Sequence, residues 1–205
     1  MRIAVINEFS ARDKNPFIID ALGCVQADVH NVGMTAEGDG NLTYLHTGLM
    51  AAVALNSGAA DFVVGGCGTG QGFMMSAAQY PGVFCGLVVD SLDAWLFSQI
   101  NAGNCVSLRL NQGFGWAGEV QLRHVFQNLF RDEPGGGYPP SRSESQRASR
   151  ATLGCVNAAT HKTMTQILDA LDASLVGPVC AHRPFVEFIA RFGVDEDLKR
   201  KVCGA

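Results

Sequence analysis

The chain has 205 residues, 47% of them apolar and 17% charged, which is enough for one substantial core and short for two. A formal net charge of −4 offers no basic patch for a phosphate backbone, so nucleic acid is not an expected partner. The seven cysteines are an odd number without a Cys-x-x-Cys pair, and the Met1-Arg2-Ile3-Ala4-Val5-Ile6 start is too short for a secretory h-region, so the expectation is reduced thiols in a cytoplasmic protein.

From the first residue, short β-rich runs alternate with helical spacing: strands at Arg2–Ile6, Asp28–Val32, Asp61–Val64, Val83–Val89 and Cys105–Leu110, and helices at Asn15–Cys24, Leu42–Asn56, Gly72–Tyr80, Ser91–Asn101 and Trp116–Phe130. Strand and helix in alternation predict βαβ units. The fold class that follows is α/β: a three-layer αβα, doubly wound, Rossmann-like sheet of five parallel strands over residues 1–130. Its continuous apolar runs, such as Phe62-Val63-Val64, suit strands covered on both faces. The stretch from Phe62 to Val89 carries no charge, yet Gly65, Gly66, Gly68, Gly70, Gly72, Pro81 and Gly82 break it into pieces too short to span a membrane.

After Phe130 the composition turns to Asp-Glu-Pro-Gly-Gly-Gly-Tyr-Pro-Pro and then to a Ser- and Arg-rich stretch without apolar period. Residues 131–150 read as an arm or linker. Helical spacing returns in residues 151–205, with Met164, Ile167, Leu168, Leu171 and Leu175 on one face, a Pro184-led helix through Phe192 and a short charged helix after Asp195. This part is expected to be a helical extension that packs on the core or on a neighbouring subunit.

The segment with most chemical content is Asp61 to Gly72, where a strand runs into Gly65-Gly66-Cys67-Gly68-Thr69-Gly70-Gln71-Gly72 and then a helix. Glycines let backbone amides approach a ligand, and free amides at a helix start favour negative charge. The loop has neither the lysine of a phosphate-binding P-loop nor the full dinucleotide fingerprint, which ranks a nicotinamide cofactor low. Cys67 lies inside it. A thiol among such amides is placed to serve as a base or nucleophile. Cys24, Cys85, Cys105, Cys155, Cys180 and Cys203 read instead as small buried thiols. None of the five histidines pairs with another ligand at metal spacing, so neither a metal nor another cofactor is expected.

Over about residues 1–140 the chain resembles the sugar-phosphate isomerases that include ribose-5-phosphate isomerase B and the galactose-6-phosphate isomerase subunits. The likeness rests on Gly66-Cys67-Gly68-Thr69-Gly70-Gln71-Gly72, on Ser76-Ala77-Ala78 and Pro81-Gly82-Val83, and on Asn101 with Asn104 before the fifth strand. It implies aldose–ketose isomerisation through an enediolate, with Cys67 moving a proton between C1 and C2, Thr69 beside it, and the amides of Gly68, Gly70 and Gly72 holding the oxygens. Proton abstraction next to a carbonyl needs such a base and such donors. The resemblance also implies a substrate-lining Tyr44, a carboxylate at Glu8, a role for Asn101, a sugar-phosphate substrate, and a homodimer or tetramer with shared sites.

The departures from the family pattern are informative. Phe9 stands in place of a histidine after strand one, Ile100 in place of a ring-opening histidine, and Arg109-Leu110-Asn111 in place of Gly-x-Arg on strand five. No Lys or Arg occurs between Lys14 and Arg109, so a phosphate cation must come from elsewhere. Arg142, in an arm that resembles the family's basic arm, is the first candidate and Arg12 the second, while Arg147 and Arg150 read as solvated charges. His46, near Tyr44, reads as a surface or supporting residue. Two alternatives to an isomerase stand beside it: a catalytically silent sugar-phosphate-binding subunit, motivated by the lost imidazoles, and a flavodoxin-like flavin or nucleotide binder, which rests on fold analogy alone.

Overall fold

The computed structural model describes residues 1–35 and 42–204; Ala205, the last residue of the expected extension, lies outside them. Strands β1 (Arg2–Asn7), β2 (Asp28–Asn31), β3 (Phe62–Cys67), β4 (Cys85–Val88) and β5 (Cys105–Arg109) pair in parallel throughout, in the order β2-β1-β3-β5-β4. The doubly wound α/β sheet is therefore present as expected. The strand ends differ from the sequence reading by up to three residues, most at β3. β3 continues through Gly65 and Gly66 to Cys67, because the ladder with Ser107, Leu108 and Arg109 of β5 holds in extended form a glycine pair that by itself reads as a turn.

Helices α1 (Asn15–Leu22), α2 (Tyr44–Asn56), α3 (Gln71–Ala77), α4 (Ser91–Leu96) and α5 (Gly118–Leu129) connect or follow the strands. A 3₁₀ turn at Phe9–Lys14 joins β1 to α1, and a π-helical turn at Phe97–Asn101 prolongs α4. Alternation along each strand separates two apolar layers. Ile3, Val5, Val64, Val106 and Leu108 face Ile18 and Leu22 of α1 and Leu122 and Phe126 of α5. On the opposite face, Ile6, Val63 and Cys105 meet Leu49, Met50 and Val53 of α2 and Phe73 of α3.

The second half of the chain adds α6 (Ser143–Thr160), α7 (Met164–Ala170), α8 (Ala173–Ala181), α9 (Arg183–Phe192) and α10 (Glu196–Cys203). Met164, Leu168, Val179, Phe185, Phe188, Leu198 and Val202 join the apolar layer of α2, so these helices pack on the chain's own core. At the edge strand β2, the His30 ring lies 5.2 Å from Phe188 and 4.7 Å from Phe192, and the Arg2 guanidinium sits 4.1 Å over Phe192. His182, buried at the α8–α9 junction, places Nε2 3.3 Å from the Gly33 carbonyl after β2.

Two readings of this half need correction. Residues 143–150, expected to be an irregular arm, begin α6, which spans the point where the arm was expected to end. None of its residues is buried, so it has no core stripe for an apolar period to record. The single apolar face from Met164 to Leu175 is split between α7 and α8 by Asp172, whose carboxylate caps α8 by accepting the Ser174 N–H at 2.8 Å.

Candidate active site

In a doubly wound sheet the crevice for a ligand opens at the carboxyl ends of the strands, where successive connections leave on opposite faces. Here that point lies between β1 and β3: the α1 connection runs from β1 on one face, and the α2 and α3 connections flank β3 on the other. Glu8 follows β1 and Cys67 ends β3. Alternation places Cys67 with Val63 and Glu8 with Ile6, so both face the α2–α3 layer. Each is nearly enclosed, with Cys67 7% and Glu8 6% exposed. The Ser10 hydroxyl donates to Glu8 Oε1 and holds its carboxylate.

The loop between β3 and α3 is fixed from three sides. The carbonyl of Cys67 accepts the Leu110 N–H at 3.0 Å, and that of Gly68 accepts the amides of Asn111 and Gln112 at 3.0 and 2.9 Å. The Gly70 carbonyl accepts the buried Ser107 hydroxyl at 2.5 Å. Gly70 itself has φ +76°, and a Cβ there would sit 2.5 Å from Leu87 Cδ1, so only glycine makes this turn. Thr69 is exposed and its hydroxyl caps the Gln71 amide at 3.3 Å. With the carbonyls turned to these donors, the N–H groups of Gly68, Thr69 and Gly72 have no acceptor among the described residues. Preorganised donors beside a thiol are the arrangement that stabilises an oxyanion as it forms.

Tyr44, the first residue of α2, completes this wall: a Cβ on Gly72 would lie 3.0 Å from its Cγ. His46 does not enter the cleft but accepts the Thr43 N–H on Nδ1 at 2.9 Å, capping α2. Arg12, in the 3₁₀ turn after Glu8, stacks its guanidinium 4.5 Å over the Phe9 ring. The structure thus gathers Glu8, Arg12, Tyr44, Cys67, Gly68, Thr69, Gly70 and Gly72 around one end of the sheet.

Two expected site residues are not gathered there. Asn101 ends the π-helical turn that precedes β5, and Arg142 lies in the 3₁₀ turn Pro140–Arg142 that leads into α6. Gly135 and Gly137 donate to the Ser98 and Gln99 carbonyls at 2.9 and 3.0 Å, which ties the arm to that same turn. Asn101 and Arg142 therefore belong to the amino end of the strands, with the sheet between them and Cys67. Arg150, expected to be a solvated charge, is half-buried and donates to the Ile100 carbonyl at 2.8 Å and the Gly135 carbonyl at 3.0 Å.

Of the six cysteines read as buried, Cys24 and Cys155 are exposed. Cys155 lies on an outward position of α6, and Cys24 in the turn after α1, where its thiol is 4.0 Å from the Arg123 carbonyl. Cys85 and Cys105 are ladder neighbours, and burial, with Cys85 beside it, pushes the Cys105 thiol well above its ordinary range. Burial also raises the Cys180 and Cys203 thiols.

Sequence reasoning noted one further residue only as a departure from the family pattern and passed over another. Asn111, which occupies the arginine position of the family pattern, donates its Nδ2 to the Ser10 carbonyl at 2.8 Å and lies against Gly68, bracing the two loops. Asn7, fully buried at the end of β1, has no partner for Nδ2 or Oδ1 among the described residues. A buried unpaired amide costs about 1–3 kcal/mol, and it sits next to Glu8. A polar residue ending an otherwise apolar strand was its only sequence signal. Among the described residues, no group of three His, Cys, Asp or Glu side chains is placed to hold a metal, and no helix is long and apolar enough to cross a membrane.

A thiol and a carboxylate thus face one crevice of an α/β fold, lined by amides without an acceptor among the described residues. The comparison with known families gives it a place. Residues 3–129 match the model of the Ribose/Galactose Isomerase family, and the chain belongs to that family of aldose–ketose isomerases. It is similar, at 43% identity and TM-score 0.96 over 100% of this chain and 98% of the other, to the ribose-5-phosphate isomerase LacAB_rpiB from Vibrio parahaemolyticus. At 38% identity and TM-score 0.96 over 100% of both chains, it is similar to a 4-deoxy-L-threo-5-hexosulose-uronate ketol-isomerase crystallised with a tartrate. The ribose-5-phosphate isomerase B of Clostridium thermocellum, at 21% identity and TM-score 0.64 over 78% of this chain and 100% of the other, shares the fold. No curated protein matches the chain.

Proposed function

We propose that the chain isomerises an open-chain acidic sugar between its aldose and ketose forms, with Cys67 as the base that moves the proton between C1 and C2. The carbonyl oxygen of the substrate would lie on the amides of Gly68, Thr69 and Gly72, where charge develops as the C2 proton leaves. Thr69 and Glu8 would attend the neighbouring hydroxyls, and Tyr44 would close the side of the cleft.

The observation that carries the substrate reading is Asn111. Where the family pattern has an arginine on strand five, this neutral amide is spent on the Ser10 carbonyl, and β5 sends no cation to the Cys67 loop from that position. A site with fewer cations suits a carboxylate, which carries one charge, better than a phosphate dianion. Phe9 and Ile100, in place of two imidazoles, suit a substrate that needs no ring opening. The uronate named for the 38%-identical relative has such a carboxylate. A second reading, ribose 5-phosphate, is favoured by the name of the 43%-identical relative.

Asn101 and Arg142 enter this reading only from a second copy, as a homodimer or tetramer with shared sites would allow. Exposed Leu153 and Val156 on α6 offer an apolar face for such a contact.

A coupled assay comparing 4-deoxy-L-threo-5-hexosulose-uronate, erythrose 4-phosphate and ribose 5-phosphate tests the proposal. The expected order of kcat/KM places the uronate first and ribose 5-phosphate last. A clear preference for ribose 5-phosphate establishes the second reading, and no turnover of any of the three returns the silent-subunit alternative.

A further inference from the structure

A second cavity opens at the carboxyl ends of β4 and β5, about 480 Å³ in volume, between Val88 and Val89, the loop from Gly113 to Gly118, and α5. None of the residues from Cys67 to Gly72 lines it. Its walls include Val88, Leu108, Leu122 and Val125, which belong to the apolar layer of α1 and α5, whereas Cys67 belongs to the layer of α2 and α3. The apolar walls of the cavity and the cysteine loop therefore lie on opposite faces of the sheet, while Arg109, the ladder partner of Cys67, reaches the cavity at the end of β5.

Arg109 makes this cavity unusual. The residue is half-buried and lines the cavity, and its side chain has no hydrogen bond or ion pair among the described residues. Its guanidinium lies against Gly113, where φ is +85° and a Cβ would come within 3.3 Å of Cζ. A guanidinium removed in part from water without an anion is an unfavourable arrangement that an anionic ligand relieves. Among the described residues no carboxylate lines the cavity, and Arg109 and His124 are its only titratable side chains. Three acids lie close to the lining residues without joining them: Glu119, exposed on α5 between Gly118 and Val120, Asp90, which accepts the amides of Leu92 and Asp93 at 2.8 and 2.9 Å, and Asp93, which accepts that of the lining Val89 at 3.3 Å. The one charge on the lining itself is therefore the Arg109 guanidinium.

At the rim stands Trp116, fully exposed, between Gly115 and Ala117, the latter at φ +63°. An indole face without a protein partner is a platform for the C–H face of a sugar or another flat body. The volume lies within the range of small-molecule sites.

We propose that this cavity is a second binding site, for a small sugar carrying a carboxylate or phosphate, with Arg109 taking the anion and Trp116 stacking on the sugar. The site adjoins the proposed proton-transfer centre through the Cys67–Arg109 ladder pair but shares none of the residues from Cys67 to Gly72, and it does not depend on the substrate assigned there.

Trp116 reports on the site directly. The chain has two tryptophans, so Trp95→Phe leaves Trp116 as the only indole fluorophore. Titration with galacturonate and with glucose 6-phosphate is expected to give saturable changes in emission, whereas neutral galactose gives none. Arg109→Ala should weaken both at least tenfold, and Arg109→Lys should recover part of the loss. The response should persist in Gly72→Val, whose side chain would crowd Tyr44 and the loop amides of the cleft, which separates it from occupancy of the catalytic cleft. Calorimetric titration of the parent protein and of Arg109→Ala provides the same comparison if Trp95→Phe does not fold. No saturable response, equal affinity in the parent and Arg109→Ala, or loss of the response in Gly72→Val would overturn the proposal. So would a Trp116 signal that follows protein concentration instead of ligand, because a second copy would then cover the cavity. Failure of every sugar in the isomerase assay removes the proposed function without touching this result.

Discussion

The two ends of the sheet differ in what their polar groups do. At the carboxyl end, Cys67, Thr69 and the loop amides are held in place by bonds to their carbonyls, with donors left over to face a ligand. At the amino end, polar groups are consumed in fastening one segment to another. Arg150 bonds two carbonyls, Asn104 bridges the Phe84 amide and the Gly82 carbonyl, and Trp95 donates to Asp132 at 2.7 Å. Free donors mark an end built for binding, and satisfied ones an end built for stability.

Substitution at Cys67 should break this contrast most sharply. Cys67→Ala is expected to lower kcat by about 10²–10⁴, the usual contribution of a positioned acid–base group. Its melting temperature should stay close to the parent's, because the change removes one sulfur from a strand end. A variant that keeps most of the parent kcat would remove Cys67 from the mechanism.

The next effect joins the two ends. If the amino end of one copy serves the carboxyl end of another, Arg142→Ala should lose activity although it is far from Cys67 in its own chain. Co-refolding it with Cys67→Ala should then regenerate sites that hold both intact residues, about a quarter of the total for random dimers. Absence of recovery in mixtures shown by sedimentation to be mixed dimers would confine each site to one chain.

A third measurement separates stability from function. Arg150→Ala should destabilise the chain by about 1–3 kcal/mol by leaving the Ile100 and Gly135 carbonyls without their charged donor. Gly70→Ala should instead cost activity as well as stability, since it strains the loop turn at φ +76°. Denaturant unfolding and kcat measured on the same preparations distinguish the two.

The smallest effect is on pH dependence. Hydrogen bonds from Trp95 and then Arg131 hold Asp132 below its ordinary pKa of 3.8, and His30 and then Arg2 do the same for Asp28. A depressed folded-state pKa means that the stabilisation is complete above the unfolded value and lost as pH falls through the folded one. Both carboxylates are exposed, so solvent screens them and the loss is modest. Asp132→Asn should flatten the acid limb of the stability curve below about pH 4, with little change at neutral pH.

By itself the sequence determined the sheet, its helices and the cysteine loop, because alternating apolar periods and a glycine-rich strand-to-helix junction are local patterns. It also disclosed, through residue type at matching positions, that Phe9, Ile100 and Asn111 depart from the family. Helix α6 left no such trace, since a helix with no buried face carries no apolar period. Only the tertiary structure decided that Asn101 and Arg142 lie across the sheet from Cys67, that Arg150 is a fastener, and that the Arg109 guanidinium is unpaired among the described residues beside an open cavity. The physical reason is common to all three: whether a polar side chain is spent or free depends on partners far away in the chain, and those are set by packing, not by spacing.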